Sequence, residues 1–137
     1  MTPSESASVL PKYLFKIVSE EPDARSETIE LSELDKQSGF IHLSTATQVP
    51  RTCNLFFSKF NKLHIIKFAY NKIKNRTRWE RAPDGEELFP HVYGVLGTME
   101  VHSVRTFYKG ENVWTAVLGQ ETWLFEFETT DGINEPN

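Results

Sequence analysis

Residues 39–45, which read Gly-Phe-Ile-His-Leu-Ser-Thr, constrain the fold of this chain more than any other stretch. They predict a turn glycine, a short strand and the start of a helix, and therefore a fold that contains both kinds of element. At the two-residue period of a strand, Phe40, His42 and Ser44 share one face. A histidine and a hydroxyl just before a helix N-terminus suit ligand chemistry, because free N–H groups and the positive end of the helix dipole lie there. The alternative is that His42 is a hydrogen-bonded histidine packed under a sheet.

One domain of the α+β class is predicted over residues 12–128. The chain has 137 residues, of which 39% are hydrophobic and 12% are aromatic, and this is enough to bury one core. Residues 1–11 and 129–137 are predicted to be flexible tails. The single cysteine, Cys53, excludes an internal disulfide and a cysteine-rich metal site. Since Cys53 lies on an apolar helix stripe, we expect a buried hydrophobic residue rather than a nucleophile.

The main amphipathic helix is predicted at about residues 46–60. Thr45 and Gln48 fit a capping box at its start. Because a proline is tolerated only in the first turn of a helix, Pro50 makes Thr47 the alternative cap. Apolar residues then recur at helical spacing on a single stripe that is predicted to face the core: Val49, Cys53, Phe56, Phe57 and Phe60.

Runs of aromatic and β-branched residues predict the strands. They lie at residues 13–18, 63–69 and 77–80, in the second half of residues 88–96 and at 99–107, and residues 113–118 and 123–127 are predicted to form a terminal hairpin around Gly119. The run at 63–69 has apolar residues on both faces and is expected to be central in a sheet. Residues 32–35 are predicted to form a short turn or helical piece, in which Ser32 and Asp35 would be local caps.

The charges are segregated along the chain, although the net charge is only −4. Eight of the fifteen Lys and Arg residues lie between Lys59 and Arg81, where Glu80 is the only acid. This segment is either a basic face that attracts phosphates or a set of ordinary solvated edges. The overall balance is not that of a general nucleic-acid-binding domain, which would be strongly basic.

The sequence also bears on the compartment. No apolar run is long enough to span a membrane. The N-terminus has neither the basic start nor the apolar centre of a secretory signal. We therefore expect a cytoplasmic or nucleocytoplasmic protein rather than a secreted one, and the sequence does not indicate an oligomeric state.

Of the four histidines, only His42 and His91 stand in unusual settings, the first after a turn glycine and the second after a proline. With Trp79, Glu80 and Tyr93 they would line one pocket. Imidazoles supply acid–base chemistry there, and a carboxylate stabilises a positively charged, sugar-like transition state. The alternative is that Trp79 belongs to the core and Glu80 pairs with a neighbouring arginine. No glycine-rich phosphate loop, HExxH motif or paired-cysteine spacing is present, so no metal is expected.

Several motifs of the chain occur together in one known family. They are Tyr-Leu-Phe-Lys-Ile at 13–17, Ser32 with Asp35, the motif at 39–45 with Gln48 and Thr52, Trp79-Glu80, and Phe-Pro-His-Val-Tyr-Gly at 89–94. Together they resemble the domain-of-unknown-function 952 family over residues 12–108. The chain departs from the family pattern at residues 21–25, where members usually carry a tryptophan.

The resemblance implies a fold similar to the ADP-ribosyltransferase and RNA 2′-phosphotransferase group. That fold is a small α+β domain with a split, curved, mostly antiparallel sheet and a cleft for NAD or an ADP-ribose-like group. In that group an early strand carries a histidine or arginine that grips a ribose, with a hydroxyl nearby. His42 with Ser44 and Thr45 would hold that position here, opposite a wall made by His91 and Tyr93.

The resemblance also suggests roles for the acidic residues. Glu80 is the candidate for an electrostatic role, and Glu100, Glu126 and Glu128 are weaker candidates for the late catalytic glutamate of that group. The resulting candidates are His42, Glu80 and His91 as catalytic residues and Ser44, Thr45, Trp79 and Tyr93 as ligand-binding residues.

The expected function is that of an NAD- or ADP-ribose-directed transferase or glycohydrolase acting at a ribose anomeric carbon. NAD would be a substrate, and the partner would be a small-molecule nucleotide. One alternative is a non-catalytic module that binds a nucleotide or a phosphorylated metabolite. Another is a protein-interaction domain in which the motif residues only hold the fold.

Overall fold

The structure is a computed structural model in which residues 10–83 and 85–125 are described. Its elements are β1 (Tyr13–Val18), α1 (Glu33–Ser38), β2 (Ile41–His42), α2 (Gln48–Phe56), β3 (Lys62–Ala69), α3 (Tyr70–Ile73), β4 (Thr77–Arg81), β5 (Leu88–Val92), β6 (Val101–Tyr108), α4 (Trp114–Leu118) and α5 (Thr122–Phe125). Turns of 3-10 helix at Lys74–Arg76 and Thr98–Glu100 lead into β4 and β6. The predicted tails lie outside the described residues, except for residues 10 and 11, which have no regular structure. None of the described helices is long and apolar enough to cross a bilayer.

The strands form two three-stranded antiparallel sheets, with the orders β1-β3-β6 and β2-β5-β4. β3 is central in the first sheet, as its two apolar faces predicted. The sheets meet where Phe15 and Ser44 exchange two backbone hydrogen bonds of 2.8 Å each. The prediction of a small α+β domain is therefore confirmed, with the strands divided between two sheets.

The first sheet is covered on both faces because its strands carry apolar residues on both. One face, with Phe15 and Ile65, packs against α2, α4 and α5. The other face, with Leu14 and Ile66, packs against residues of the second sheet such as Val92. Complete burial of each such side chain contributes roughly 1.5–3 kcal/mol to the free energy of folding. The second sheet is therefore anchored to the first through the apolar face that packs against it.

The main helix, α2, is shorter than the predicted 46–60. Its N-terminal turn has the predicted capping box, since Thr45 N–H donates to Gln48 Oε1 at 3.0 Å and Gln48 N–H to Thr45 Oγ1 at 3.3 Å. Thr47 precedes the helix, but its side chain makes no capping bond. At the other end, Phe57 leaves the helical conformation with φ −128°.

The predicted apolar stripe of this helix reaches the core only in part. Val49 and Cys53 are fully buried, and burial raises the pKa of the Cys53 thiol to about 12. The stripe continues through the partly buried Phe57. The prediction that Phe56 and Phe60 face the core is wrong, because these side chains are 73% and 43% exposed. Phe60 lies beyond the helix, where helical spacing no longer sets its direction.

The predicted terminal hairpin is also wrong. The described part of residues 113–127 forms α4 and α5, separated by a turn at residues 119–121. Trp114 and Leu118 are four residues apart and both fully buried, as on one face of a helix. The β-branched residues in this segment favoured a strand locally, and the packing of Trp114 and Leu118 against the first sheet outweighs that preference.

The strand at residues 88–96 is shifted relative to the prediction. β5 runs from Leu88 to Val92 and includes Pro90, which was expected to precede the strand. Pro90 has no N–H to donate, but its carbonyl accepts the N–H of Leu43 at 3.0 Å. The chain turns away at Gly94, where φ is 122°.

Candidate functional site

The second sheet brings the two unusual histidines together. β2 and β5 pair in a register that places His42 opposite His91, and the two ring centroids are 5.3 Å apart. β4 pairs with the other edge of β5 and places Arg78 opposite His91. Three neighbouring strands therefore contribute to one patch, which we call the histidine cluster. Its residues are Asp35, Phe40, His42, Arg78, Glu80, His91 and Tyr93.

The position of His42 is set by α1 and the turn that follows it. Ser32 and Asp35 form a capping box, with Asp35 N–H donating to Ser32 Oγ at 3.0 Å and Ser32 N–H donating to Asp35 Oδ2 at 3.1 Å. Gly39 ends α1 in the left-handed region at φ 85°, which lets the chain reverse into β2. After this reversal, Asp35 Oδ1 accepts from His42 twice, from Nδ1 at 2.8 Å and from the backbone N–H at 3.1 Å.

Asp35 is charged although it is only 2% exposed. Lys16 of β1 lies 2.8 Å from its Oδ2. Burial by itself would raise the pKa of the Asp35 carboxyl group, but the hydrogen bond from His42 and the charge of Lys16 hold that pKa well below its usual range. Because a carboxylate only accepts hydrogen bonds, Nδ1 of His42 must carry a proton.

His91 has a carboxylate partner of its own. Its Nδ1 donates to Glu80 Oε1 at 2.7 Å, and the Tyr93 hydroxyl donates to the same oxygen at 2.8 Å. The hydrogen bonds from His91 and Tyr93 lower the pKa of Glu80, and the carboxylate in turn raises the pKa of Tyr93. The His91 side chain is 8% exposed and that of Glu80 is 35% exposed, so the carboxylate faces solvent more than the ring does.

Aromatic rings frame the two imidazoles. Phe40 stacks on His91 with ring centroids 4.1 Å apart and an interplanar angle of 22°, and it lies 4.7 Å from the His42 ring. The guanidinium of Arg78 lies over the Tyr93 ring, 5.0 Å from its centroid. Flat rings and a planar cation are surfaces on which a base or a pyridine ring can stack.

Of the imidazole nitrogens in the cluster, the two Nε2 atoms are the ones without a hydrogen-bond partner in the described part of the chain. Each Nδ1, by contrast, is held by a carboxylate. A neutral imidazole held in this way presents a lone pair at Nε2, and a protonated one presents an N–H. The cluster can therefore accept and donate protons, or hydrogen-bond the hydroxyls of a ligand. No group of three or more His, Cys, Asp or Glu side chains within the described ranges is placed to hold a metal.

Of the predicted site residues, the structure brings His42, Glu80, His91 and Tyr93 together. Trp79 lies on the opposite face of β4 from Glu80, where it packs against the core and its Nε1–H donates to the hydroxyl of Tyr70 at 3.2 Å.

The two predicted hydroxyl residues stand at the start of α2 rather than in the cluster. Thr45 serves the capping box there. Ser44 follows His42 by two residues, and its backbone is tied to β1. Within the described residues, the Ser44 side chain makes no hydrogen bond to the cluster.

The weaker glutamate candidates also lie apart from the cluster. Glu100 forms an ion pair with Arg76 that uses both carboxylate oxygens. Glu126 and Glu128 lie outside the described residues. The basic segment does not form one face either, because Lys67 is buried, Arg76 is paired and Arg78 lies over Tyr93.

Sequence reasoning missed three functional candidates, Asp35, Phe40 and Arg78. Asp35 was assigned only a capping role, and no local pattern shows that a cap will meet a histidine seven residues later. Strand alternation already placed Phe40 on the face of His42, although Phe40 was not named as a candidate, and it would also have placed Arg78 on the face of Glu80.

Two surface depressions lie away from the cluster. One, of about 260 Å³, is bordered by Asn54, Lys109 and Trp114. The other, of about 400 Å³, is bordered by Arg105 and Trp123. Neither lining includes a histidine or a carboxylate, so acid–base chemistry favours the histidine cluster as the candidate site.

Comparison with known proteins finds one family and solved structures of one similar protein. The crystal structure of protein CC0527 from Caulobacter crescentus is similar, with a TM-score of 0.57 and 27% sequence identity over 69% of this chain and 84% of that chain. The solution NMR structure of the same protein has a TM-score of 0.57 and 26% identity, and covers 69% of this chain and 83% of that one. Among curated proteins, none matches the chain. The family described as "Protein of unknown function (DUF952)" matches residues 18–104, which is more than half of the sequence, and the chain belongs to this family.

Proposed function

We propose that this protein acts on NAD or an ADP-ribose-like nucleotide, as a transferase or glycohydrolase that cleaves at the anomeric carbon of a ribose. The observation that carries the proposal is the pair of imidazoles, 5.3 Å apart, each oriented by a carboxylate at Nδ1 and without a hydrogen-bond partner at Nε2 among the described residues. The resemblance to the ADP-ribosyltransferase and RNA 2′-phosphotransferase group, drawn from the sequence motifs, supports the choice of substrate.

The two histidines have separate roles in the proposed reaction. Nε2 of His42 hydrogen-bonds a ribose hydroxyl and holds the sugar. The bond from the anomeric carbon to the nicotinamide nitrogen breaks, and its electron pair leaves with the nicotinamide. A water or an acceptor hydroxyl adds to that carbon, and Nε2 of His91 takes its proton.

Glu80 sets the tautomer of His91 that this step requires. Its carboxylate holds the His91 proton at Nδ1, so that Nε2 is the basic atom, and stabilises the imidazolium that forms when Nε2 is protonated. The same negative charge lies next to the developing positive charge on the sugar, where a fixed charge lowers the barrier. Asp35 orients His42 in the same way.

The proposal is tested by nicotinamide release from NAD. Wild-type protein is expected to exceed the uncatalysed rate, and His42→Ala and His91→Ala to lose about a hundredfold or more of that activity. His102→Ala is the matched control, because His102 is an exposed histidine of β6 outside the cluster. Wild-type release at the uncatalysed rate, or equal losses in all three variants, would contradict the catalytic claim.

One observation favours a second candidate, a non-catalytic module that binds a nucleotide. The Glu80 carboxylate is already occupied by His91 and Tyr93, so its charge is partly committed within the protein. A module of this kind would bind ADP-ribose, and it would release no nicotinamide from NAD in the assay described above.

A further inference from the structure

We propose that Arg78 is the phosphate-binding residue of the histidine cluster, and that the substrate class is therefore a nucleotide that carries a diphosphate or a monophosphate. This inference rests on the proposed function and names the group that its ligand must have. It starts from the position of Arg78, which is opposite His91 in the β4–β5 register and two residues before Glu80.

The pairing state distinguishes Arg78 from the other arginines. Within residues 10–83 and 85–125, four arginines pair with a carboxylate: Arg25 with Asp23, Arg51 with Glu87, Arg76 with Glu100 and Arg81 with Glu86. The remaining two, Arg78 and Arg105, lie over aromatic rings, and only Arg78 does so beside the histidines. None of the N–H groups of Arg78 has a hydrogen-bond partner among the described residues.

The cation–π contact with Tyr93 positions Arg78 to bind a phosphate. The Tyr93 ring restricts the guanidinium, and Tyr93 is itself held by its hydrogen bond to Glu80. A planar guanidinium presents five donors in a fork that fits two phosphate oxygens at once. Because the group is already partly ordered, it loses less conformational entropy when it binds.

The charge balance around Arg78 is compatible with a bound anion. Each histidine of the cluster is paired with a carboxylate. In the first pair, His42 with Asp35, the positive charge of Lys16 offsets the negative charge of Asp35. In the second, Arg78 lies close enough to Glu80 to lower its pKa, although the hydrogen bonds from His91 and Tyr93 lower it more. Protonation of His42 or His91 would then make the cluster net positive. A phosphate bound at Arg78 is expected to be held more weakly as salt is added, since exposed charges are screened.

The test is calorimetry with three probes that differ in phosphate content: ADP-ribose, AMP and adenosine. Wild-type protein should bind ADP-ribose and AMP more tightly than adenosine. Arg78→Gln should weaken the two phosphorylated probes by about ten- to a hundredfold and leave adenosine unchanged. Arg78→Lys keeps the positive charge but lacks the planar fork. Its affinity for the phosphorylated probes should therefore lie between those of wild type and Arg78→Gln.

Arg81→Gln is the matched control. Arg81 is an exposed arginine on the same strand, and the one ion pair of its side chain within the described ranges is a long one of 3.9 Å with Glu86. Equal effects of Arg78→Gln and Arg81→Gln would overturn the assignment, as would a wild-type protein that binds no phosphorylated probe or binds adenosine as tightly as ADP-ribose.

The probes also separate this inference from the proposed function. None of them contains nicotinamide, so binding is measured without turnover. If nicotinamide release fails but Arg78→Gln selectively weakens ADP-ribose, the phosphate site stands and the catalytic claim falls. If release succeeds and Arg78→Gln behaves like Arg81→Gln, the catalytic claim stands and the phosphate site falls.

Discussion

At the scale of single residues, Asp35 connects the candidate site to the rest of the fold. Its carboxylate accepts from the Ser32 N–H that begins α1, from the Lys16 ammonium of β1, and from two N–H groups of His42. A helix, a strand and a candidate catalytic imidazole therefore meet at one buried charge. Three of these four donors come from outside the helix that carries Asp35. The carboxylate therefore has all its partners only when the domain is folded.

Asp35→Asn is expected to destabilise the fold at neutral pH. The change leaves the buried Lys16 without its negative partner, which costs about 3 kcal/mol or more of unfolding free energy. Urea denaturation measures this loss. Glu33→Gln is the control, because Glu33 lies on the same helix with its side chain 81% exposed and should change stability little.

The same residue predicts a pH dependence. The folded-state pKa of Asp35 lies below its ordinary value of 3.8, so the stabilisation is present above about pH 4 and is lost as the pH falls below that value. Wild type should therefore lose stability progressively as the pH falls from about 4 towards the lowered folded-state pKa of Asp35. The stability of Asp35→Asn should depend less on pH over the same range, by the contribution of this one carboxyl group. If the stability of wild type and that of Asp35→Asn changed with pH in parallel, the role assigned to the Asp35 charge would be contradicted.

Among the elements, the junction between α1 and β2 positions His42. The helix is only six residues long, so its end must be defined by local chemistry. Gly39 supplies the left-handed conformation, and its N–H donates to the carbonyl of Asp35 at 2.9 Å. An added Cβ at this position would meet no atom within 4 Å, so the requirement for glycine is one of backbone conformation and not of space.

Gly39→Ala should therefore destabilise the protein by about 1–2 kcal/mol, the cost of placing an L residue in the left-handed region. Gly39→Asn should cost less, because asparagine tolerates that region better. Thermal unfolding of the two variants measures the difference. If alanine and asparagine were equally tolerated, the backbone explanation would be wrong.

At the scale of the whole molecule, the core extends beyond the family match at residues 18–104. α4 and α5 follow β6 and cover the face of the first sheet that the second sheet leaves open. Trp114 is fully buried there, and its Nε1–H lies 3.1 Å from the carbonyl of Phe57 and 3.2 Å from that of Phe60. This one side chain joins the C-terminal helices to the chain just after α2.

Trp114→Ala is expected to cost about 3–5 kcal/mol of stability, from the cavity and from two carbonyls that lose a donor. Val113→Ala, at an exposed neighbouring position, should stay within about 0.5 kcal/mol. Circular dichroism during urea unfolding makes the comparison. Because Trp114 packs on the face of the first sheet away from the second sheet, ADP-ribose binding by the folded fraction should not change. A stability loss no larger than that of Val113→Ala would contradict the structural role.

The local features of this fold could be predicted from the sequence because each depends on residues a few positions apart. The capping contacts of Thr45 with Gln48 and of Ser32 with Asp35 are of this kind. The strands at 13–18 and 63–69, and the shared face of Phe40 and His42, follow from a two-residue period in the same way. The errors at Phe56 and at the C-terminal helices arose where local preference competes with packing against distant residues.

The sequence by itself therefore determined the class of the fold, most of its elements and the identity of the two histidines. Only the tertiary structure decided that His42 faces His91, because the β2–β5 register depends on packing between segments almost fifty residues apart. It also decided that Asp35 holds His42 and that Arg78 lies over Tyr93. No local pattern carries these contacts, since the energy that selects them comes from burying both sheets around one shared core.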